Sequence, residues 1–188
     1  MQNLTPRVYC YVNDYNLSDL SKLGRNINII YRNYKKIDCI NDLLKLKLFC
    51  KKNENNLYLV NNIKQSIKLG LNGVYIPSFN NKLNFSSSFS LPKKFKIIGS
   101  AHNFKEIKIK EAQGCKEIFL SPIFKVTKSK KFLGVIKFNL LSLNNKNNLI
   151  ALGGINEKNY KNLKLINIKG FASISWAKKN GLRNLGRF

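Results

Sequence analysis

The chain has 188 residues, 44% of them hydrophobic, which is enough for one globular domain with a buried core and excludes global disorder. Its 34 Lys and Arg against 9 Asp and Glu give a net charge of +25, which points to anionic partners or to a lysine-rich solvated surface. The cysteines, Cys10, Cys39, Cys50 and Cys115, form no C-x-x-C pair, and the only histidine is His102, which argues against a zinc site.

Short apolar runs of four or five residues recur along the chain, the size of strands buried on both faces. Val8–Val12 and Ile27–Tyr31 come first. A helical stripe with Leu43, Leu44, Leu46, Leu48 and Phe49 leads to a third run, Leu57–Val60. Residues 61–69 then put Ile63, Ile67 and Leu69 at helical spacing before the fourth run, Gly73–Ile76, and the fifth, Phe95–Ile98. Phe104, Ile107 and Ala112 mark a helix ahead of Glu117–Leu120. The last two runs, Leu149–Leu152 and Gly170–Ile174, flank a helical spacing of Tyr160, Leu163 and Ile166. Gly70, Gly114 and Gly170 sit where such helices should stop.

Alternating strands and helices imply a parallel sheet with helices outside. Eight strands predict a compact (β/α)8 TIM barrel, one α/β domain over 1–188, in preference to an open doubly wound sheet. Such barrels typically run to about 250 residues. A chain of 188 therefore predicts trimmed helices, some reduced to turns.

In a barrel of this kind the site lies where strands end and loops to the next helix begin. Those positions hold Asn13 and Asp14, Arg32, Asn61 and Asn62, Pro77 to Asn80, Gly99 to His102, Ser121 to Lys130, Gly153 and Gly154, and Ser175. They are small, polar or cationic, with one acid among them, a composition suited to an anion. In IFLSPIFKVTKSKKFLG, residues 118–134, the strand breaks at Ser121-Pro122 into a loop carrying Thr127, Ser129 and lysines, which reads as a phosphate cradle. Gly153-Gly154 lets backbone N–H groups approach an oxyanion with no Cβ in the way. Ser175 falls where a helix N-terminus would favour phosphate.

Taken in order, these stretches resemble the thiamine-phosphate synthases and their TenI relatives. SPIFKVTKSK resembles the family's G-P-[IV]-F-x-T-x-[TS]-K. ALGGI at 151–155 and GFASIS at 170–175 resemble A-I-G-G-I and G-[VI]-A-V-I-S. LVNNIKQSIKLGLNGVYIP at 59–77 is similar to N-D-R-x-x-x-A-x-x-x-x-A-D-G-V-H-L, and VYCYVND and IIYR are similar to the first strand and the Q-L-R strand. The resemblance implies a (β/α)8 barrel and an enzyme of thiamine biosynthesis. Such an enzyme joins a hydroxymethylpyrimidine carried on pyrophosphate to a thiazole phosphate, and Mg2+ assists departure of pyrophosphate. It implies that Lys130 and Arg32 meet the pyrophosphate, with Asn61 on the same side. It also implies that Thr127 and Ser129 lie near the thiazole phosphate, which Gly153, Gly154, Ile174 and Ser175 hold. Ser121, at the head of the loop, is counted with the substrate-binding residues.

Departures from the pattern bear on the chemistry. The family binds Mg2+ through two aspartates, whose positions here are Asn62 and Asn80, and a hard cation prefers carboxylate oxygens. The glutamine of Q-L-R is Ile30, and H-L-G has become Tyr75-Ile76-Pro77. On this reading lysines take over part of the charge of Mg2+. The thiazole tautomerase among the TenI relatives uses a histidine where this chain has Pro122, which leaves His102, in GSAHN, as the candidate for proton transfer. The alternatives are thus a synthase-like enzyme, a TenI-like thiazole-phosphate binder or isomerase, and a non-specific nucleic-acid binder. The last lacks a helix-turn-helix, zinc-finger or RNA-recognition signature, and its basic residues are not clustered.

The expected partners are therefore phosphorylated small molecules, with no specific nucleic acid. Scattered cysteines, an N-terminus unlike a signal peptide and the lack of any long apolar run predict a soluble cytoplasmic protein with no membrane span. Assembly into a homo-oligomer is compatible with such a barrel.

Overall fold

A computed structural model of the chain describes residues 6–34, 40–127, 129, 131–143, 145 and 148–173. Eight strands, β1 (Arg7–Val12), β2 (Asn28–Tyr31), β3 (Asn56–Val60), β4 (Gly73–Ile76), β5 (Lys96–Ala101), β6 (Glu117–Leu120), β7 (Asn148–Leu152) and β8 (Gly170–Ser173), pair in parallel and in sequence order. The ring closes where β1 meets β8, with Arg7 opposite Gly170. The barrel expected from the strand count is the observed fold. Strands β2, β4, β6 and β8 are buried at every residue, which is why they read as continuous apolar runs.

The helices are short, as the chain length requires. They are α1 (Leu17–Ser21), α2 (Ile40–Lys52), α3 (Ile63–Lys68), α4 (Phe104–Ala112) and α5 (Gly134–Leu143), with a 3-10 helix at Tyr160–Leu165. Turns replace a helix between β4 and β5. Asparagines cap three of these helices by accepting backbone N–H groups: Asn16 for α1, Asn62 for α3 and Asn103 for α4. In α2, Leu43, Leu46 and Cys50 form the buried stripe, facing the barrel wall. None of the described helices is long and apolar enough to cross a membrane.

Three expectations need correction. The fifth strand extends to Ala101, so Gly99 and Ser100 lie within β5 rather than in a loop. Gly99 is a glycine because a Cβ there would come within 2.9 Å of both Cys115 Sγ and Lys110 Cδ. Gly170 opens β8 rather than ending a helix: a Cβ would lie 2.1 Å from the Arg7 carbonyl oxygen on the adjacent strand. Helical spacing over 160–166 forms a 3-10 helix instead of an α-helix.

Alternation along the strands sends Tyr9, Tyr11, Ile30, Tyr58, Tyr75, Ile98, Phe119, Ile150 and Ala172 into the barrel. Phe119 is the hub, edge-on to Tyr9 at 4.8 Å and to Tyr75 at 5.6 Å between ring centroids. At the N-terminal mouth, buried Glu117 accepts from the Tyr9 hydroxyl and the Arg7 guanidinium, with Lys96 Nζ at 3.9 Å. A charge sealed there is tolerable because it is paired and hydrogen-bonded. Aromatic bulk fills the interior and leaves no room for a ligand inside the barrel.

Candidate active site

The C-terminal strand ends bring several of the candidates together in two groups. The first joins the ends of β6 and β7. Beyond β7 the chain turns through Gly153 and Gly154 with φ of 91° and 74°, a conformation that L side chains rarely adopt. That turn lies directly against the loop after β6. A Cβ on Gly153 would meet Pro122 Cβ at 2.9 Å and Ser121 Oγ at 3.2 Å, and one on Gly154 would meet the Phe124 carbonyl oxygen at 2.5 Å. Two backbone bonds stitch the segments together, Ile123 N–H to the Leu152 carbonyl (2.9 Å) and Phe124 N–H to the Gly153 carbonyl (3.1 Å). On the far side, Asn156 and Asn159 donate to the Gly154 carbonyl. Both carbonyls of the turn are thus occupied, while no described residue accepts from the Gly153 or Gly154 N–H. The turn presents donors, as a phosphate cradle requires.

The second group joins the ends of β3 and β4. Asn61 takes a left-handed backbone, φ 57°, and its N–H donates to the Tyr75 carbonyl. Its side-chain oxygen accepts from Asn80 Nδ2 at 2.8 Å. Asn80 Oδ1 accepts from the Lys82 N–H at 3.1 Å, and the Asn80 carbonyl accepts from Lys110 Nζ (2.6 Å) and Gln113 Nε2 (2.9 Å). Asn62 is committed to its helix: Oδ1 accepts from the Gln65 N–H, and Nδ2 donates to Gln65 Oε1. These residues flank an open groove of about 1130 Å³, lined also by Lys64, Phe79, Lys82 and Phe85 and by no carboxylate.

Arg32, one residue past β2, lays its guanidinium over the Tyr11 ring, 4.8 Å from the centroid. The Tyr11 hydroxyl donates to that of Tyr75 at 3.0 Å, so the interior stack supports the arginine from below. Burial raises the pKa of both phenols, and the nearby guanidinium offsets part of the rise. They are neutral hydrogen-bonding groups at neutral pH.

His102 follows β5 and is exposed. Its Nδ1 lies 2.9 Å from Glu106 Oε2, which also accepts the His102 N–H, and Asn103 Nδ2 donates to Glu106 Oε1 at 2.8 Å. The carboxylate fixes the ring with Nδ1 as donor, which leaves Nε2 as the atom able to exchange a proton. Thr127 is exposed, and the Ser129 hydroxyl bonds to the backbone of Lys131 rather than to another candidate. Lys130, Ile174 and Ser175 lie outside the described residues.

Among the described residues no three His, Cys, Asp or Glu side chains group as metal ligands. The family's Mg2+ positions, Asn62 and Asn80, offer neutral amide oxygens that already accept from Gln65 and Lys82, with the Lys110 ammonium on the Asn80 carbonyl. That donor set does not fit a hard divalent cation.

Sequence reasoning missed Glu106, Lys110 and Gln113. Glu106 was legible as the far end of an Asn-x-x-Glu cap, Asn103 to Glu106. Lys110 carried a fainter signal, a lysine one turn after Ile107 on the stripe that faces the barrel.

A family profile described as thiamine monophosphate synthase matches residues 22–177. Thiamine-phosphate synthases from two Prochlorococcus marinus strains are similar in sequence. One is 33% identical over 128 residues, covering 66% of this chain and 36% of its own length. The other is 31% identical over 141 residues, covering 73% and 40%. The chain thus spans about four-tenths of these curated relatives. Among solved structures, thiamine phosphate pyrophosphorylase from Pyrococcus furiosus superposes with a TM-score of 0.77 at 15% identity, over 96% of this chain and 92% of that one. Thiamine phosphate pyrophosphorylase from Bacteroides thetaiotaomicron gives 0.59 at 15% identity, over 97% and 90%. At those identities the structures bear on the fold alone.

Proposed function

The chain belongs to the thiamine monophosphate synthase family, and on that premise we propose that it couples a hydroxymethylpyrimidine pyrophosphate to a thiazole phosphate. In that reaction the carbon–oxygen bond to pyrophosphate breaks, a bond from the same carbon to the thiazole forms, and thiamine phosphate and pyrophosphate leave. The observation that carries the reading is the Gly153-Gly154 turn, whose carbonyls are tied back and whose N–H groups are left to an anion. Ser121, Thr127, Ser129, Ile174 and Ser175 complete the thiazole-phosphate side in this proposal. Arg32, Lys130 and Asn61 take the pyrophosphate, where fixed cations stabilise charge gathering on the leaving group. Arg32 suits that role because its guanidinium is held over the Tyr11 ring and a guanidinium can address phosphate oxygens in pairs.

Mixing the protein with both precursors, with and without Mg2+, should yield thiamine phosphate. Undetectable product under both conditions would count against the coupling activity. Gly154→Glu should abolish binding of the thiazole phosphate, because it places a Cβ against the Phe124 carbonyl and a carboxylate beside an anion.

A second reading, a thiazole-phosphate binder or isomerase without synthase activity, draws on the His102–Glu106 pair. A carboxylate-oriented imidazole at the mouth of the barrel suits proton transfer. Saturable thiazole-phosphate binding without coupling, together with a pH-dependent isomerisation lost in His102→Asn, would favour it. As a biosynthetic protein of this kind it would act on small molecules in the cytoplasm.

A further inference from the structure

The groove beside Asn61 and Asn80 has the opposite hydrogen-bond polarity from a metal site. A cation is held by oxygens that point at it, whereas an anion needs N–H groups and positive charge. Asn61 spends its side-chain oxygen on Asn80 Nδ2, so its own Nδ2 is what remains for a ligand. Asn80 spends its oxygen on the Lys82 N–H. Lys64 and Lys82 lie along the groove, and no acid does.

Behind this pair sits a lysine that nothing in the surface chemistry explains. Lys110 is 0% exposed, on the face of α4 turned towards the barrel. Its Nζ donates to the Asn80 carbonyl at 2.6 Å and to Gln113 Oε1 at 2.9 Å. Among the described residues no carboxylate lies within ion-pair distance of it. Gln113 in turn donates to the Asn80 and Lys82 carbonyls. A buried ammonium is costly unless its protons are satisfied. Here one proton goes to the backbone of the segment that carries the groove's asparagine and another to Gln113, which is itself bonded to that segment, so the charge is fixed against the segment's backbone.

We propose that this groove binds the pyrophosphate group of a substrate without a divalent metal, with the Asn61–Asn80 pair held donor-outwards by Lys110 as a positioning residue. The inference rests on the family reading above and departs from it in the metal. Lys110 does not touch the ligand. It fixes Asn80 and leaves a positive charge where a metal would otherwise contribute one.

The test is calorimetric titration of the whole protein with inorganic pyrophosphate, in EDTA and in Mg2+, at ionic strength high enough to screen the surface. The affinity in EDTA is expected to equal or exceed that in Mg2+. Lys110→Met should bind roughly tenfold more weakly. Lys161→Met, which removes one exposed charge elsewhere, should bind like the parent. Inorganic phosphate at the Gly153-Gly154 turn should be unaffected by Lys110→Met, a separation that general unfolding would not give. Asn80→Asp keeps Lys110 and serves if Lys110→Met fails to fold: it should lose pyrophosphate in EDTA and regain it in Mg2+. Pyrophosphate binding that requires Mg2+ in the parent overturns the metal-free site and leaves the family reading standing. So does an Asn80→Asp protein that binds like the parent in EDTA. Absence of pyrophosphate binding under either condition, with no coupling of the two precursors, overturns both.

Discussion

The side-chain oxygen of Asn62 accepts from the Gln65 N–H at 2.9 Å while its amide nitrogen donates to Gln65 Oε1 at 3.0 Å. Both ends of this amide are therefore used in starting α3, and a residue at a family ligand position has a structural task. Asn62→Ala should lower unfolding stability by about 1 kcal/mol in denaturant titrations, the usual cost of a lost cap. Asn62→Asp should keep most of it, since a carboxylate caps as well and favours the positive end of a helix. Equal losses in the two variants would mean that the cap is not what Asn62 supplies. Gly154 is constrained differently, by φ of 74° and by the Phe124 carbonyl 2.5 Å from any Cβ. Gly154→Ala should cost about 2 kcal/mol, combining left-handed strain with displacement of the loop after β6. The same denaturant titration measures it, and a loss near zero would show that the loop yields freely.

At the scale of elements, strands were far more legible than helices. A strand buried on both faces leaves an apolar run whatever it packs against, and β4 and β6 coincide with the runs read from the sequence. Strand β5 escaped at its far end because Gly99 and Ser100 are neither large nor apolar; Gly99 answers to Lys110 on the next helix and to Cys115 just beyond it. Helix α1 is five residues long, too short to display a period, although Asn16 marks its start. Helix α5 leaves Ile136, Leu140 and Leu143 exposed, so its sequence is apolar around most of the helix and shows no clear stripe. The site divides along the same line. The glycine turn of the candidate site was legible because local chain geometry writes itself into residue type, and Asn61 by its place at the end of a strand. The Lys110 contact to Asn80 joins residues 30 apart, and only the folded chain reveals it.

The barrel interior makes a prediction of its own. Burial raises the pKa values of Tyr9, Tyr11, Tyr58 and Tyr75 there, and pushes the thiols of Cys50 and Cys115, packed between the strands and helices, up to about 12. In the unfolded chain these groups lose their protons near pH 8.5 for cysteine and about 10 for tyrosine. Above those values the native state binds more protons than the unfolded one, so stability falls as pH rises. It should be fully present below about pH 8.5 and decline progressively towards pH 12. Phenolate absorbance from the interior four should then appear only as circular dichroism collapses. Ionisation of these four with the fold intact would show that the interior admits hydroxide.

For the molecule as a whole, +25 charges on a 21.6 kDa chain make self-repulsion a term of the same order as its stability. Some of the nine acids are used in pairs, Lys108 with Glu111, Lys22 with Asp19 and Arg7 with Glu117, and 34 Lys and Arg far outnumber them. Screening acts over a Debye length of about 10 Å at 0.1 M salt, comparable to the distance between neighbouring surface charges. Raising NaCl from about 0.02 to 0.3 M should therefore raise Tm by about 4 °C, equivalent to ~1 kcal/mol in a domain of this size. The same titration separates the two meanings of the charge. Contacts between scattered lysines and a nucleic-acid backbone release counterions, so affinity for duplex RNA should collapse across that range. Pyrophosphate held by Asn61 and Arg32, with Asn80 fixed in place by the buried Lys110, should weaken less, because donors fixed by the fold close to the ligand are screened less than scattered surface charges. If instead both affinities fall with the same slope, the groove contributes nothing beyond surface charge, and the lysines alone would account for anion binding.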